Sequence, residues 1–286
     1  MTSEQPSPPP IPSNAPEVAS PRVSRGRWWI HLLLLAAYPL TLGVLGFLHT
    51  RESTQPMLPK DSAGLLIAAA FELVTFGVIF GIAWACSRVS AAELHVPWRG
   101  GARPIVRGFF YAIGFRLAIM LALFVAIAFA LIFGLVDLES LKSFIEKNGP
   151  KVDKLVDPSA LASDPVYLTL NLTLISFIVA GLREELWRAG LIAGLIALFP
   201  KRFSSVPGRI AAITIAAVIF GLGHLPQGWM AVGIIGLLGF GLGAVLVFHR
   251  SLWDAVLAHG FFNAASFGMM YWLARTSVNA PAVVGP

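Results

Sequence analysis

Long apolar runs separated by short polar connections dominate the chain, at residues 28–49, 63–87, 109–136, 166–199, 209–225, 228–248 and 251–274. A hydrocarbon core takes about 20 helical residues to cross, so the pattern predicts an all-α fold: a polytopic transmembrane helix bundle with about seven spans. Residues 1–27 are rich in Pro and Ser without apolar periodicity, which predicts a disordered tail. The first apolar run comes too late for a cleaved signal peptide and should stay as an anchor. The connection 137–165 contains "LESLKSFIEKN", the pattern of a short amphipathic helix that either rests on the membrane surface or caps the bundle. The run 166–199 would reach about 50 Å as a straight helix, against a hydrocarbon thickness of about 30 Å. It should therefore project or break, and Gly181 is the candidate break. Residues 28–136 thus form an N-terminal group of three spans, 166–274 a C-terminal core and 275–286 a tail.

Composition supports this reading, since 56% of residues are hydrophobic and 13% charged, where soluble domains carry about 25% charged residues. The net charge of +6 does not form the single basic stripe of a nucleic-acid surface. It sits beside span ends: Arg22, Arg25 and Arg27; Arg88, Arg99, Arg103 and Arg107; Lys201, Arg202 and Arg209; Arg250. The loop 137–165 instead has six acidic residues against four basic ones. By the excess of Lys and Arg on the cytoplasmic side, the N-terminus is expected inside and the C-terminus outside. The single cysteine, Cys86, excludes an intramolecular disulfide.

Against this apolar background the polar residues within spans stand out, because charge at membrane depth costs roughly 2.5–3.5 kcal/mol on insertion scales and marks function by default. "GLREELWRAGLIAGL" carries Arg183, Glu184, Glu185 and Arg188. Glu184 and Arg188 are four apart on one helix face and predict an ion pair, leaving Glu185 as a second carboxylate turned by about 100°. "FGLGHLPQG" places His224 one turn after Phe220, and "LAHGFFNAA" places His259 and Asn263 on one face. Glu72 and Arg116 could pair with each other as structural charges, and Asp254 could cap the last span. Two carboxylates, two imidazoles and a carboxamide on three helices can activate a water as general base and hold an oxyanion. Alternatively Glu184 or Glu185 with His224 and His259 are acceptable zinc ligands, with a metal-bound water as nucleophile. A proton-relaying transporter is a further reading of intramembrane carboxylates, although no internal repeat accompanies them.

The three motifs in this order, Glu-Glu with a nearby Arg, Phe-x-x-x-His, and His-x-x-x-Asn, resemble the CPBP family of intramembrane proteases, which includes the type II CAAX prenyl endopeptidases and the bacterial Abi proteins. The resemblance covers about residues 166–268. It implies a membrane-embedded endopeptidase, glutamic-type or metallo-type, acting on a membrane-associated peptide or protein substrate in the cell membrane of a bacterium. Catalytic roles then fall to Glu184, Glu185, His224, His259 and Asn263, with Arg188 in a structural ion pair. The first motif departs from the family pattern of two glutamates, three residues and an arginine, because only two residues separate Glu185 from Arg188. Aligning Trp187 and Arg188 with the family puts Arg183 where the water-activating glutamate stands, so both glutamates stay candidates. The alternative is a catalytically altered or inactive membrane scaffold or immunity protein on the same fold. Nothing in the sequence reads a prenyl lipid.

Overall fold

The computed structural model describes residues 23–52, 56–151 and 155–278. Most of the expected tail, residues 1–22, and the last residues, 279–286, lie outside the described residues. Three helices form the N-terminal half: α1 (Arg25–Glu52), α2 (Ser62–Ser87) and α3 (Arg103–Ile132). Three short helices follow, α4 (Leu138–Asn148), α5 (Pro158–Ser163) and α6 (Pro165–Leu170), and a π-helical segment (Asn171–Leu182) runs directly into α7 (Arg183–Leu198). The core is completed by α8 (Pro200–Phe203), α9 (Val206–Gly223), α10 (Trp229–His249) and α11 (Leu252–Val278). Among the described residues, six helical stretches are long and apolar enough to cross a membrane, as in an integral membrane protein. The seventh expected span, α11, is 27 residues long but not among the six, because its apolar sequence is interrupted by Asp254, His259 and Asn263.

The stretch Pro165–Leu198 does not stop at Gly181. It widens instead, with the Arg183 N–H donating to the carbonyl of Ile178, five residues back. Within it the Ser176 hydroxyl donates to the Asn171 carbonyl, also five residues back, at 2.7 Å. Such π turns concentrate at functional positions. Gly181 serves close approach: a Cβ there would lie 3.0 Å from the Val256 carbonyl of α11, the helix that packs along the whole π segment.

The two ends of the bundle differ in chemistry. At one end Arg25 donates to the Leu198 carbonyl and Arg27 to that of Ala85, while the Trp253 indole donates to the Val96 carbonyl. Here α2 and α10 end on Arg88 and Arg250 in the left-handed conformation, cations that also suit the negative ends of helix dipoles. The other end joins Leu58 to Leu155 and Lys151 to Gln227 through backbone hydrogen bonds. Of the expected amphipathic helix, α4, no residue is buried, and Leu138, Phe144 and Ile145 are exposed. It therefore does not cap the bundle; the segment around α5, whose Ala160 and Leu161 are buried and which packs on α11, does.

That covering segment is held by two capping aspartates. Asp157 accepts from the Ser159 and Ala160 N–H groups, and Asp164 from those of Val166 and Tyr167, each with Pro at the first helical position. The Ser159 hydroxyl holds the Asp157 carboxyl below its ordinary range, outweighing partial burial; for Asp164 the chief cause is the Ser62 hydroxyl at 2.7 Å. Because folding depresses both carboxyls, their stabilisation is complete above the ordinary carboxylate range and is lost as pH falls through the depressed values. In detergent micelles, cleavage of residues 155–164 by an acid-active protease should therefore rise below about pH 3.9, and hydrogen exchange should show the Asp157→Ala variant opening this segment already at neutral pH.

Candidate active site

The charges of α7 sort into two groups because successive helical residues point about 100° apart. Glu185 and Arg188 turn inward and form an ion pair with no exposed side-chain surface on either partner. This corrects the expected Glu184–Arg188 pair. Spacings of three and four both place side chains side by side on a helix, and here packing selects the shorter one. The Phe220 ring lies under the Arg188 guanidinium at 4.4 Å, and the backbone of α10 also approaches closely. A Cβ on Gly239 would sit 2.6 Å from Phe220, and one on Gly243 would be 3.5 Å from the Arg188 side chain. The glycine-rich face of α10 is what makes room for a buried arginine.

Glu185 has a second partner, the His259 ring on α11, whose Nδ1 lies 2.9 Å from its carboxylate. A carboxylate oxygen in an ion pair with Arg188 accepts here, so Nδ1 carries the hydrogen. The other ring nitrogen, Nε2, lies 3.7 Å from Glu184, longer than a hydrogen bond. His259 thus spans both neighbouring carboxylates, one behind it and one in front.

Glu184 turns outward with Arg183. Arg183 donates to Glu184 at 2.5 Å and also pairs with Glu72 of α2 and reaches the Tyr38 hydroxyl at 3.3 Å. The expected Glu72–Arg116 pair is accordingly absent: Arg116 donates instead to the Phe262 carbonyl and the Ser266 hydroxyl on α11. Asp254 is not a cap either, since the Ser251 hydroxyl caps its N–H; its buried carboxylate pairs with Arg107 at 3.1 Å.

His224 stands where α9 ends and Pro226 prevents the helix continuing. Its Nδ1 is 2.9 Å from the Phe220 carbonyl, which can only accept, so this nitrogen donates and Nε2 is left with a lone pair. The spacing Phe-x-x-x-His thereby does three things: Phe220 packs on Arg188, contacts the His224 ring edge-on at 4.8 Å and fixes its tautomer through its own carbonyl. Asn263 follows His259 by one turn.

Glu184, His224, His259 and Asn263 all line one cavity of about 530 Å³, mostly apolar, which Glu72, Arg183 and Tyr38 also line. Glu185 and Arg188 do not reach it and stand behind His259. The sequence alone assigns no partner to Arg183, within the charged cluster, and matches Glu72 to Arg116; the signal joining Glu72 and Arg183 is their presence at membrane depth as opposite charges that each need a partner. The proposed zinc ligands do not fit a metal. Glu185 is taken by Arg188 and His259, and among the described residues no three His, Cys, Asp or Glu side chains are arranged to hold an ion.

Residues 166–265 match a family model described as type II CAAX prenyl endopeptidase Rce1-like. The matched region contains Glu184, Glu185, Arg188, His224 and His259 together with Asn263, so the resemblance to this protease family lies in the helices that carry these residues. Comparison with curated proteins and with solved structures returned no match.

The Glu185–Arg188 pair has a measurable signature. Removing one partner of a buried pair leaves an uncompensated charge, at a cost of about 3–5 kcal/mol, whereas replacing both by apolar residues can be neutral. Arg188→Met should lower the thermal unfolding midpoint in detergent sharply, and Glu185→Leu combined with Arg188→Met should recover most of that loss.

Proposed function

We propose that the protein is an intramembrane endopeptidase in which Glu184 activates the attacking water. The observation that carries this reading is the convergence of Glu184, His224, His259 and Asn263 on one cavity, while Glu185 is engaged by Arg188 and His259 behind it. A membrane-associated peptide enters the apolar cavity with its scissile carbonyl between these groups. Water held by Glu184 and the Nε2 lone pair of His224 attacks the carbonyl carbon; its proton passes to Glu184 as the new carbon–oxygen bond forms. With a proton on each ring nitrogen, His259 donates to Glu185 and, through Nε2, to the oxyanion; the Asn263 amide supplies a second donor. The carbon–nitrogen bond then breaks, and Glu184 returns the proton to the leaving amine.

Glu185 acts in this scheme by orienting His259, as a carboxylate orients the imidazole in a triad. The irregular spacing of the first motif then matters less than which carboxylate reaches the cavity. The cytoplasmic N-terminus and extracytoplasmic C-terminus inferred from charge belong to the same proposal, supported by the collection of arginines at one end of the bundle. It includes neither a prenyl group on the substrate nor a metal.

Purified protein in detergent should cleave members of a quenched-fluorescent peptide library. Glu184→Gln and His224→Ala should each lower the rate by about 10²–10⁴-fold, and Asn263→Ala by roughly 10²–10³-fold. Full activity in all three variants would exclude this chemistry, and a wild-type protein that cleaves nothing would favour the scaffold alternative.

A further inference from the structure

The cavity contains a charge cluster that the hydrolytic scheme does not use. Glu72 sits on α2, outside the region matched to the protease family, yet it pairs with Arg183 across the cavity wall. The Arg183 side chain is only 10% exposed, and a buried guanidinium must be paired. It is shared: Nη1 faces Glu72 and the Tyr38 hydroxyl, and Nη2 faces Oε1 of Glu184. The guanidinium is a planar, rigid fork of donors, so fixing one side of it fixes the other.

We propose that Glu72 and Arg183 form a clamp that positions Glu184, with Glu72 holding Arg183 and Arg183 holding Oε1 so that Oε2 is left turned toward His259 and the cavity. The inference rests on the reading of Glu184 as the base. A base tied to a lone arginine would spend both oxygens on that cation. Glu72 prevents this by competing for it: two carboxylates share one guanidinium, and the surplus negative charge stays on the cavity side. Glu72 and Arg183 are therefore positioning residues, and their effect passes through Glu184.

Two measurements on the full-length protein in detergent test the clamp. In the first, kcat and KM for a quenched-fluorescent peptide are compared among wild type, Glu72→Gln, Glu72→Asp and Arg183→Gln, with thermal unfolding as a control for folding. The expected result is a fall in kcat of roughly 10- to 100-fold at nearly constant KM for Glu72→Gln and Arg183→Gln, with a nearly constant unfolding midpoint in Glu72→Gln, where Arg183 keeps Glu184 as partner, a lowered one in Arg183→Gln, and partial recovery of kcat in Glu72→Asp. In the second, the Glu184 carboxylate band is isolated as the infrared difference between wild type and Glu184→Gln. Repeating this difference on the Glu72→Gln background should move the band. Unchanged kcat together with an unmoved band overturns the clamp, as does a loss of activity in Glu72→Gln that merely follows a loss of stability. Should wild type cleave no peptide, or Glu184→Gln cleave as wild type does, the hydrolase reading fails separately; the clamp is then decided by whether the band moves.

Discussion

The buried ion pair between Glu185 and Arg188 is the contact on which the C-terminal half depends. Two charges without exposed surface are tolerable at membrane depth only if the surrounding helices supply partners. Each helix of the core does so in its own way: Phe220 of α9 places its ring under the guanidinium, α10 withdraws its side chains at Gly239 and Gly243, and His259 of α11 donates to Glu185. A change in the pair is therefore felt in four helices. The cavity residues inherit their geometry from it, since His259 and His224 are both fixed by groups that also touch the pair.

The buried pair and the cavity-facing glutamate divide the labour of two adjacent carboxylates. Glu185 has no exposed side-chain surface and is engaged by Arg188 and His259. Glu184 also has a cation, but one shared with Glu72, and it borders a cavity. Environment, rather than residue type, separates the structural carboxylate from the candidate base, as it does wherever two like groups in one site take different roles.

The spans and the three motifs were legible in the sequence because both rest on local rules, apolar length in one case and helical spacing in the other. His259 and Asn263 share a face at a spacing of four whatever packs against them. The pairing of the charges was not legible. Arg188 has acceptable partners three and four residues back, and only Phe220 and His259, brought in by other helices, decide for Glu185. Glu72 lies 111 residues from Arg183, and no local pattern links them. The sequence matches Arg116 to Glu72 for the complementary reason: its partners are a backbone carbonyl and a hydroxyl on α11, which leave no charge signature in the sequence.

The π-helical segment sets the rotation at which α7 presents its carboxylates to the cavity. Adding residues to a turn upstream rotates everything that follows about the helix axis, so a register set by the packing of Asn171 and Ser176 need not hold at Arg183. The widened segment ends at Leu182, immediately before the charges, and α11 approaches closely at Gly181. Because α11 carries His259, its contact with the π segment ties the rotation of the carboxylates to the position of the imidazole they face. A side chain at Gly181 would push these two elements apart, and the separation would fall on the distances from His259 to Glu184 and Glu185.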